Sequence, residues 1–315
     1  MNTLANSSPK IAVVGIAGGW STERLLDALE ARTGHRLLIE MQHVVAELGG
    51  VGGPRLVHRG LDLCSLDGVI VKKIAETYSP DALDRVELLR VLAGCGVRVF
   101  SRPQCIGPLI DRLSCTIKLQ LGGIAMPATV VTESVDEARA TVARFGGVIA
   151  KPLYTSKARG MLLLREPGSE GATLDEDQLR AALHEFKRTS EVMYLQQLID
   201  IPGRDLGVAF LAGEYMATYA RVRGGGSWST STSAGGKYQA HEPSREVLEL
   251  AHRAQSLFEL DFTCVDVVET REGPKVFEVS AFGGFRGLEE ACGIDAAGAY
   301  AEHALRCLAR ERGIA

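Results

Sequence analysis

Between residues 10 and 104 apolar segments of two kinds follow one another along the chain. Short unbroken ones (KIAVVG, HRLLIEM, LDGVIVKK, VRVFS) alternate with longer ones of helical spacing (STERLLDALEAR, SPDALDRVELLRVLAGCG). An unbroken apolar run is how a strand covered on both faces reads, and parallel strands need a crossover, usually a helix, between them. The alternation therefore confines this part of the chain to a small, mostly parallel α/β layer. Ser21 is expected to cap the first helix, whose Leu25, Leu26 and Leu29 share one face.

Further along, the pattern changes twice. A second unit spans 105–190: LIDRLSCTIKLQLGG reads as a helix, ATVVT as a strand, SVDEARATVARFGG as a serine-capped helix and VIAKPL as a strand. The polar loop YTSKARG, strand MLLL and helix LDEDQLRAALHEFKR complete it. From 191 to 315 long strands with hairpin signals dominate: VMYLQQLID, RDLGVAFLAG and EYMATYARV. The expected class is thus α/β, turning to α+β in the C-terminal part. Residues 223–237 form a glycine- and serine-rich segment that reads as a lid or a long loop.

Composition narrows function mainly by exclusion. A net charge of −4 over 315 residues offers no basic surface for nucleic acid, and no apolar run approaches the roughly 18 residues of a membrane span. The N-terminus is short, polar and unlike a targeting segment, and the seven cysteines contain no CxxC pair. A cytoplasmic chain with reduced thiols is expected. The first strand-to-helix turn, Gly15-Ile16-Ala17-Gly18-Gly19, departs from a dinucleotide fingerprint, with Ala17 and Trp20 where glycines are required. A nicotinamide-dependent oxidoreductase therefore rests on that turn alone.

The chemistry concentrates in two places. Cys264-Val265-Asp266-Val267-Val268 and Val276-Phe277-Glu278-Val279-Ser280 are consecutive apolar strands, each with one acid, joined by a turn containing Gly273-Pro274. Strict alternation predicts that Cys264, Asp266 and Val268 share one face, and that Val276, Glu278 and Ser280 share one face of the second strand. If Asp266 lies opposite Glu278 or Ser280, two carboxylates meet in apolar surroundings and repel unless a cation separates them. Such hard oxygens suit magnesium held between carboxylates and substrate phosphates. The plainer alternative is a polar face turned to solvent. The second place is VIAKPLYTSKARG, where Lys151 ends a strand and can direct its ammonium at phosphate oxygens, with Ser156 in the loop beside it.

Taken in order, these segments resemble the ATP-grasp superfamily, and within it the ribosomal-protein glutamate ligase (RimK) type. The pieces that carry the resemblance are Asp111-Arg112-Leu113, Ala150-Lys151-Pro152-Leu153, Tyr194 to Ile199, Pro202 to Leu206, Trp228-Ser229-Thr230 with Gly235-Gly236, Val265-Asp266 and Phe277 to Ser280. The resemblance implies an ATP-grasp fold: an N-terminal α/β domain (1–104) and two subdomains (105–190 and 191–315) that clasp ATP. It implies that Lys151 and Arg112 hold phosphates, with loop contacts from Ser156, Ser229, Thr230 and Ser231. Gln196, Gln197 and Leu198 would read adenine, and Asp205 the ribose. Arg221 would face the γ-phosphate and the reacting carboxylate, making it and Lys151 the catalytic cations. Asp266, Glu278 and Ser280 would hold Mg2+, with Mn2+ as a substitute. The family commonly has asparagine at the position of Ser280, whose shorter hydroxyl is a weaker ligand.

The activity so implied is an ATP-dependent carboxylate–amine ligase acting through an acyl phosphate. Its partners would be a small-molecule carboxylate acceptor, such as a pterin- or furan-type one-carbon coenzyme, and L-glutamate or another amino acid. Arg204 and Arg286 are candidate anchors for a substrate carboxylate. A catalytically altered ATP-binding regulatory protein on the same fold is the alternative, and assembly into a homo-oligomer is left open.

Overall fold

The computed structural model of the protein describes residues 8–155, 158–224 and 235–313. The first layer runs β1 (Ile11–Val14), α1 (Trp20–Thr33) and β2 (Leu38–Ile39), then a hairpin sheet of β3 (Val44–Glu47), β4 (Arg55–His58) and β5 (Leu61–Asp62). β6 (Gly68–Val71), α2 (Asp81–Gly94) and β7 (Arg98–Phe100) follow. Strands β2-β1-β6-β7 form one parallel sheet, as the alternation predicts. Apart from Arg98 at the start of β7, its strands are apolar because both faces are covered. Ala12, Val14, Val69 and Val71 pack with Val86 and Leu89 of α2, while Ile11, Val13, Ile70 and Phe100 pack with Leu25 and Leu29 of α1. The small β3-β4-β5 sheet was not anticipated. Its first strand is half exposed, so its residues lack the apolar run that marks a covered strand.

Short helix α3 (Pro103–Ile106) and α4 (Arg112–Leu121) lead into a second layer. It contains β8 (Thr129–Thr132), α5 (Val135–Phe145), β9 (Gly147–Lys151), β10 (Leu162–Arg165), α6 (Glu176–Thr189) and β11 (Met193–Gln197). The sheet is antiparallel, in the order β10-β9-β11-β8. One face is a core: Val148, Ala150, Met193 and Leu195 meet Ala138 and Val142 of α5 and Leu179 and Leu183 of α6. By alternation Lys151, Tyr194 and Gln196 point from the other face. Residues 193–197, grouped by sequence with the C-terminal region, thus belong to this sheet; Met193 and Leu195 are what tie them to it.

The third layer comprises β12 (Arg204–Leu211), β13 (Glu214–Val222), β14 (Lys237–Ala240), α7 (Arg245–Ser256), β15 (Phe262–Thr270) and β16 (Gly273–Ser280). The sheet is antiparallel, ordered β14-β13-β12-β15-β16. Leu206, Val208, Val265, Val267 and Val279 pack with Val247, Ala251 and Ala254 of α7. Two helices end the chain, α8 (Arg286–Cys292) and α9 (Ala296–Glu311). The last one returns to the first layer: Ala301, Ala304 and Leu308 join Ile11, Val13 and Ile70 in one core, and Arg32 of α1 pairs with Glu302 at 2.8 Å. Among the described residues no helix is long and apolar enough to cross a membrane.

Candidate functional site

The two acid-bearing strands pair directly, with Asp266 opposite Glu278 and Cys264 opposite Ser280. The next pair is Val267 with Val276, so Phe277 is an extra residue on β16. Such a bulge shifts the alternation by one. The expectation that Val276 shares a face with Glu278 and Ser280 is corrected on this point. Val276 instead joins Val265, Val267 and Val279 in the core on the α7 side. Glu278 and Ser280 lie on the opposite face with Asp266. The bulge thus serves both demands of β16, an apolar side chain inward and an acid beside its partner.

Each acid faces an arginine. Arg112, at the start of α4, reaches Glu278 at 3.1 Å with only 7% of its side chain exposed, against 43% for Glu278. Arg221 on β13 lies opposite Asp205 on β12. Its Nε is 3.2 and 3.1 Å from the two Asp205 oxygens, and its Nη2 reaches Asp266 at 2.9 Å. That reach crosses β12 at Gly207, which is opposite Asp266. There is no side chain there to obstruct it, and a Cβ would fall 2.5 Å from the Tyr219 ring. Burial pushes the Asp266 carboxyl up from its ordinary range; Arg221 opposes the rise, and Asp205 and Glu278 add to it.

Lys151 ends β9 on the face of the second sheet that α5 and α6 leave uncovered. It is buried, donates to Gln196 Oε1 at 2.6 Å and lies over the Phe277 ring at 5.4 Å. Burial lowers its pKa to about 7; Arg112 adds to the fall and Glu278 resists it. Gln196 is held in turn by Thr129 and Tyr194, both at 3.3 Å. The backbone N–H of Arg112 donates to Leu153 O at 3.0 Å, which fixes α4 against the segment after Lys151. Arg112, Thr155, Phe277 and Glu278 line a shared cleft with Tyr78.

Three bases (Arg112, Lys151, Arg221) and three acids (Asp205, Asp266, Glu278) therefore gather where the two sheets meet. The Gln197 and Leu198 N–H groups donate to Ala128 O at 2.8 Å and Gly147 O at 3.0 Å. Ser280 Oγ accepts from Phe282 N at 3.2 Å, closing the turn after β16. Arg204 pairs with Glu269 at 3.2 Å, and Arg286 lies 5.2 Å from the Trp20 ring. Ser156, Ser229, Thr230 and Ser231 lie outside the described residues.

Sequence reasoning missed two contributors. Lys72 follows β6 at the carboxyl end of the parallel sheet. Fully buried, it donates to the Phe282 carbonyl at 3.2 Å and to the Gly283 carbonyl, with its ammonium 4.3 Å from the Phe285 ring. It ties the first layer to the turn after Ser280, and its position at the end of a covered strand was the available signal. Ser21 was expected to cap α1. The cap position is instead Gly19, two residues earlier, without a side-chain cap, and Ser21 Oγ accepts from Phe285 N at 3.3 Å. Both residues brace the same turn.

The donor set suits a hard divalent cation. Two carboxylates stand opposite each other on adjacent strands, Glu278 opens to the cleft, and burial with the nearby acids Asp205 and Glu278 raises the Asp266 carboxyl despite Arg221, so a further cation there would be favoured. Glu40, His43 and His58 also lie close enough to share an ion, but Arg59 already binds Glu40 at 2.9 Å and contacts His43 at 3.2 Å.

Comparison with known proteins agrees with this fold. The model of a family described as RimK-like ATP-grasp domain matches residues 110–303. A tetrahydromethanopterin:alpha-L-glutamate ligase of Methanosarcina acetivorans is 24% identical over 258 residues, 75% of this chain and 78% of that protein. A probable alpha-L-glutamate ligase of Stenotrophomonas maltophilia is 26% identical over 289 residues, 90% and 94% of the two chains. Among solved structures, the ATP-grasp ligase PsnB complexed with a phosphomimetic variant of minimal precursor, Mg and ADP superposes with a TM-score of 0.71. It shares 19% identity, over 96% of this chain and 99% of that one.

Proposed function

Because the chain belongs to the RimK-like ATP-grasp domain family of ATP-dependent ligases, we propose that it joins the carboxylate of a small acceptor to the amino group of L-glutamate or another amino acid. The observation that carries this reading is the facing pair Asp266 and Glu278, each on an arginine, with Lys151 at the same junction.

A carboxylate acylates amines poorly until its oxygen becomes a leaving group. Phosphoryl transfer from ATP to the acceptor carboxylate gives an acyl phosphate; amine attack then forms the amide and expels phosphate. The protein's task is to position the reactants and neutralise spreading negative charge. Lys151 and Arg112 stand where phosphate oxygens would be held, and Arg221 between the acids, where charge develops. Magnesium bound by Asp266 and Glu278 would supply further neutralisation of the phosphates. Gln196 keeps the Lys151 ammonium fixed, so that less reorganisation is needed when the substrate arrives. The acceptor is read as a pterin- or furan-type coenzyme on the strength of relatives named for tetrahydromethanopterin.

One observation favours a second reading, an ATP-binding regulatory protein that has lost catalysis: Ser280, the proposed third metal ligand, already accepts a hydrogen bond from Phe282 N through its hydroxyl oxygen. The two are separated by measuring ADP and product mass for the full chain with ATP, Mg2+, a panel of amino acids, and pterin, furan and peptide acceptors. Ligation is expected, with loss of ADP release of at least about 100-fold in Glu278→Ala at retained thermal stability. Full ligation by Glu278→Ala would remove the metal assignment. ATP binding without ADP release under every pairing would favour the second reading.

A further inference from the structure

Two of the seven cysteines meet. Cys64 stands in the turn after β5, and Cys95 is the residue that follows α2. Their sulfurs are 3.0 Å apart, and each is 3.9 Å from the Pro54 carbonyl oxygen. Both are partly exposed, whereas Cys105, Cys115 and Cys264 are buried. They are 31 positions apart in sequence and sit on separately packed pieces of the first layer, the hairpin sheet and the helix over the parallel sheet. Nothing in the phosphate junction uses either thiol. A covalent sulfur–sulfur bond is about 2.05 Å long, so a small side-chain rotation separates this contact from a bond.

We propose that Cys64 and Cys95 are a redox modification site that closes reversibly to a disulfide, with a small-molecule disulfide of the glutathione type as oxidant. One protein thiolate attacks the external disulfide, forming a mixed disulfide and releasing one external thiol. The second protein thiolate attacks the protein sulfur of that mixed disulfide and releases the other external thiol. The external S–S bond is reduced to two thiols; the protein gives up two protons and two electrons and gains one S–S bond. The Cys95 thiol is pushed up to about 11, chiefly by its hydrogen bond with Cys64. A first attack by Cys95 is therefore slow at neutral pH. The closed bond staples the turn after β5 to the end of α2.

The test equilibrates the full chain with oxidised and reduced glutathione over a range of ratios, traps free thiols by alkylation at acid pH, and maps the digest by mass spectrometry. Expected is a linked peptide containing Cys64 and Cys95, two hydrogens lighter than the reduced pair, formed before any other cysteine reacts and lost on adding dithiothreitol. The oxidised protein should melt a few degrees higher than the reduced one, roughly 3–8 °C, and Cys64→Ser should abolish that difference. In Cys64→Ser, Cys95 should stop at the glutathione mixed disulfide. Alkylation of both cysteines at every ratio, or linkage of either one to a different cysteine, would overturn the proposal.

Discussion

Replacing Arg221 by methionine keeps most of the stem's volume and deletes the guanidinium that holds Asp205 and Asp266. Unit charges near 3 Å attract by roughly 5–6 kcal/mol at an effective dielectric constant of about 20, before desolvation is set against them. Removing one partner of a buried pair costs about 3–5 kcal/mol net, because the remaining charge is stranded. Asp205, with 6% of its side chain exposed, carries most of that cost; Asp266, at 24%, is partly rescued by water. The thermal midpoint should fall by roughly 6–20 °C. The sign with pH follows from Asp266, whose carboxyl burial already raises and which in the variant loses the guanidinium that opposes the rise. The native state then binds more protons than the unfolded chain, so the deficit grows as pH rises from about 4 through the raised value. Melting curves of Arg221→Met at pH 5 and pH 8 should therefore differ more from wild type at pH 8. Asp205→Asn added to Arg221→Met should recover more than half of the loss. A midpoint within about 1 °C of wild type, or a deficit identical at both pH values, would refute the buried-pair argument.

Two further outcomes follow from the same junction. Gly207→Ala places a Cβ 2.5 Å from the buried Tyr219 ring and should cost about 1–3 kcal/mol in chemical denaturation, most of it recovered by Tyr219→Leu; an unchanged denaturation midpoint would count against close packing of that ring on β12. Burial, reinforced by Arg112 and resisted by Glu278, sets the Lys151 pKa at about 7, so ATP binding at pH 8 should take up a proton as phosphate recharges the lysine, and ATP affinity should decline as pH rises above about 7. Calorimetry at pH 8 in buffers of different ionisation enthalpy reads the uptake, which Lys151→Met should abolish.

The sequence carried the covered strands, the helices and the ordering of site residues, because an apolar run and a lone charge within it are both local signals. The spacing of Asp266 and Glu278 was enough to suggest that they meet. The bulge was not legible: VFEVS reads as ordinary alternation, and only the demand of the α7 core for Val276 reveals that Phe277 is the extra residue. Nor could local pattern tell which sheet takes residues 193–197, since both neighbouring regions offer antiparallel edges. Arg221 was named as catalytic, but its hold on Asp266 crosses β12 at Gly207, a juxtaposition that only the order of strands in the sheet reveals. The contact of Cys64 with Cys95 was invisible for the same reason: neither is near the other along the chain.

The placement of α9 has a consequence for how the molecule is made. One face of the first sheet is completed by a helix far downstream in the sequence, with two further layers synthesised in between. Until then Ile11, Val13 and Ile70 have only part of their cover, and the nascent N-terminal layer must wait, exposed to wrong partners, for a distant helix to dock. A fragment ending before Ala296 should therefore aggregate through its first hundred residues rather than through the end that was cut.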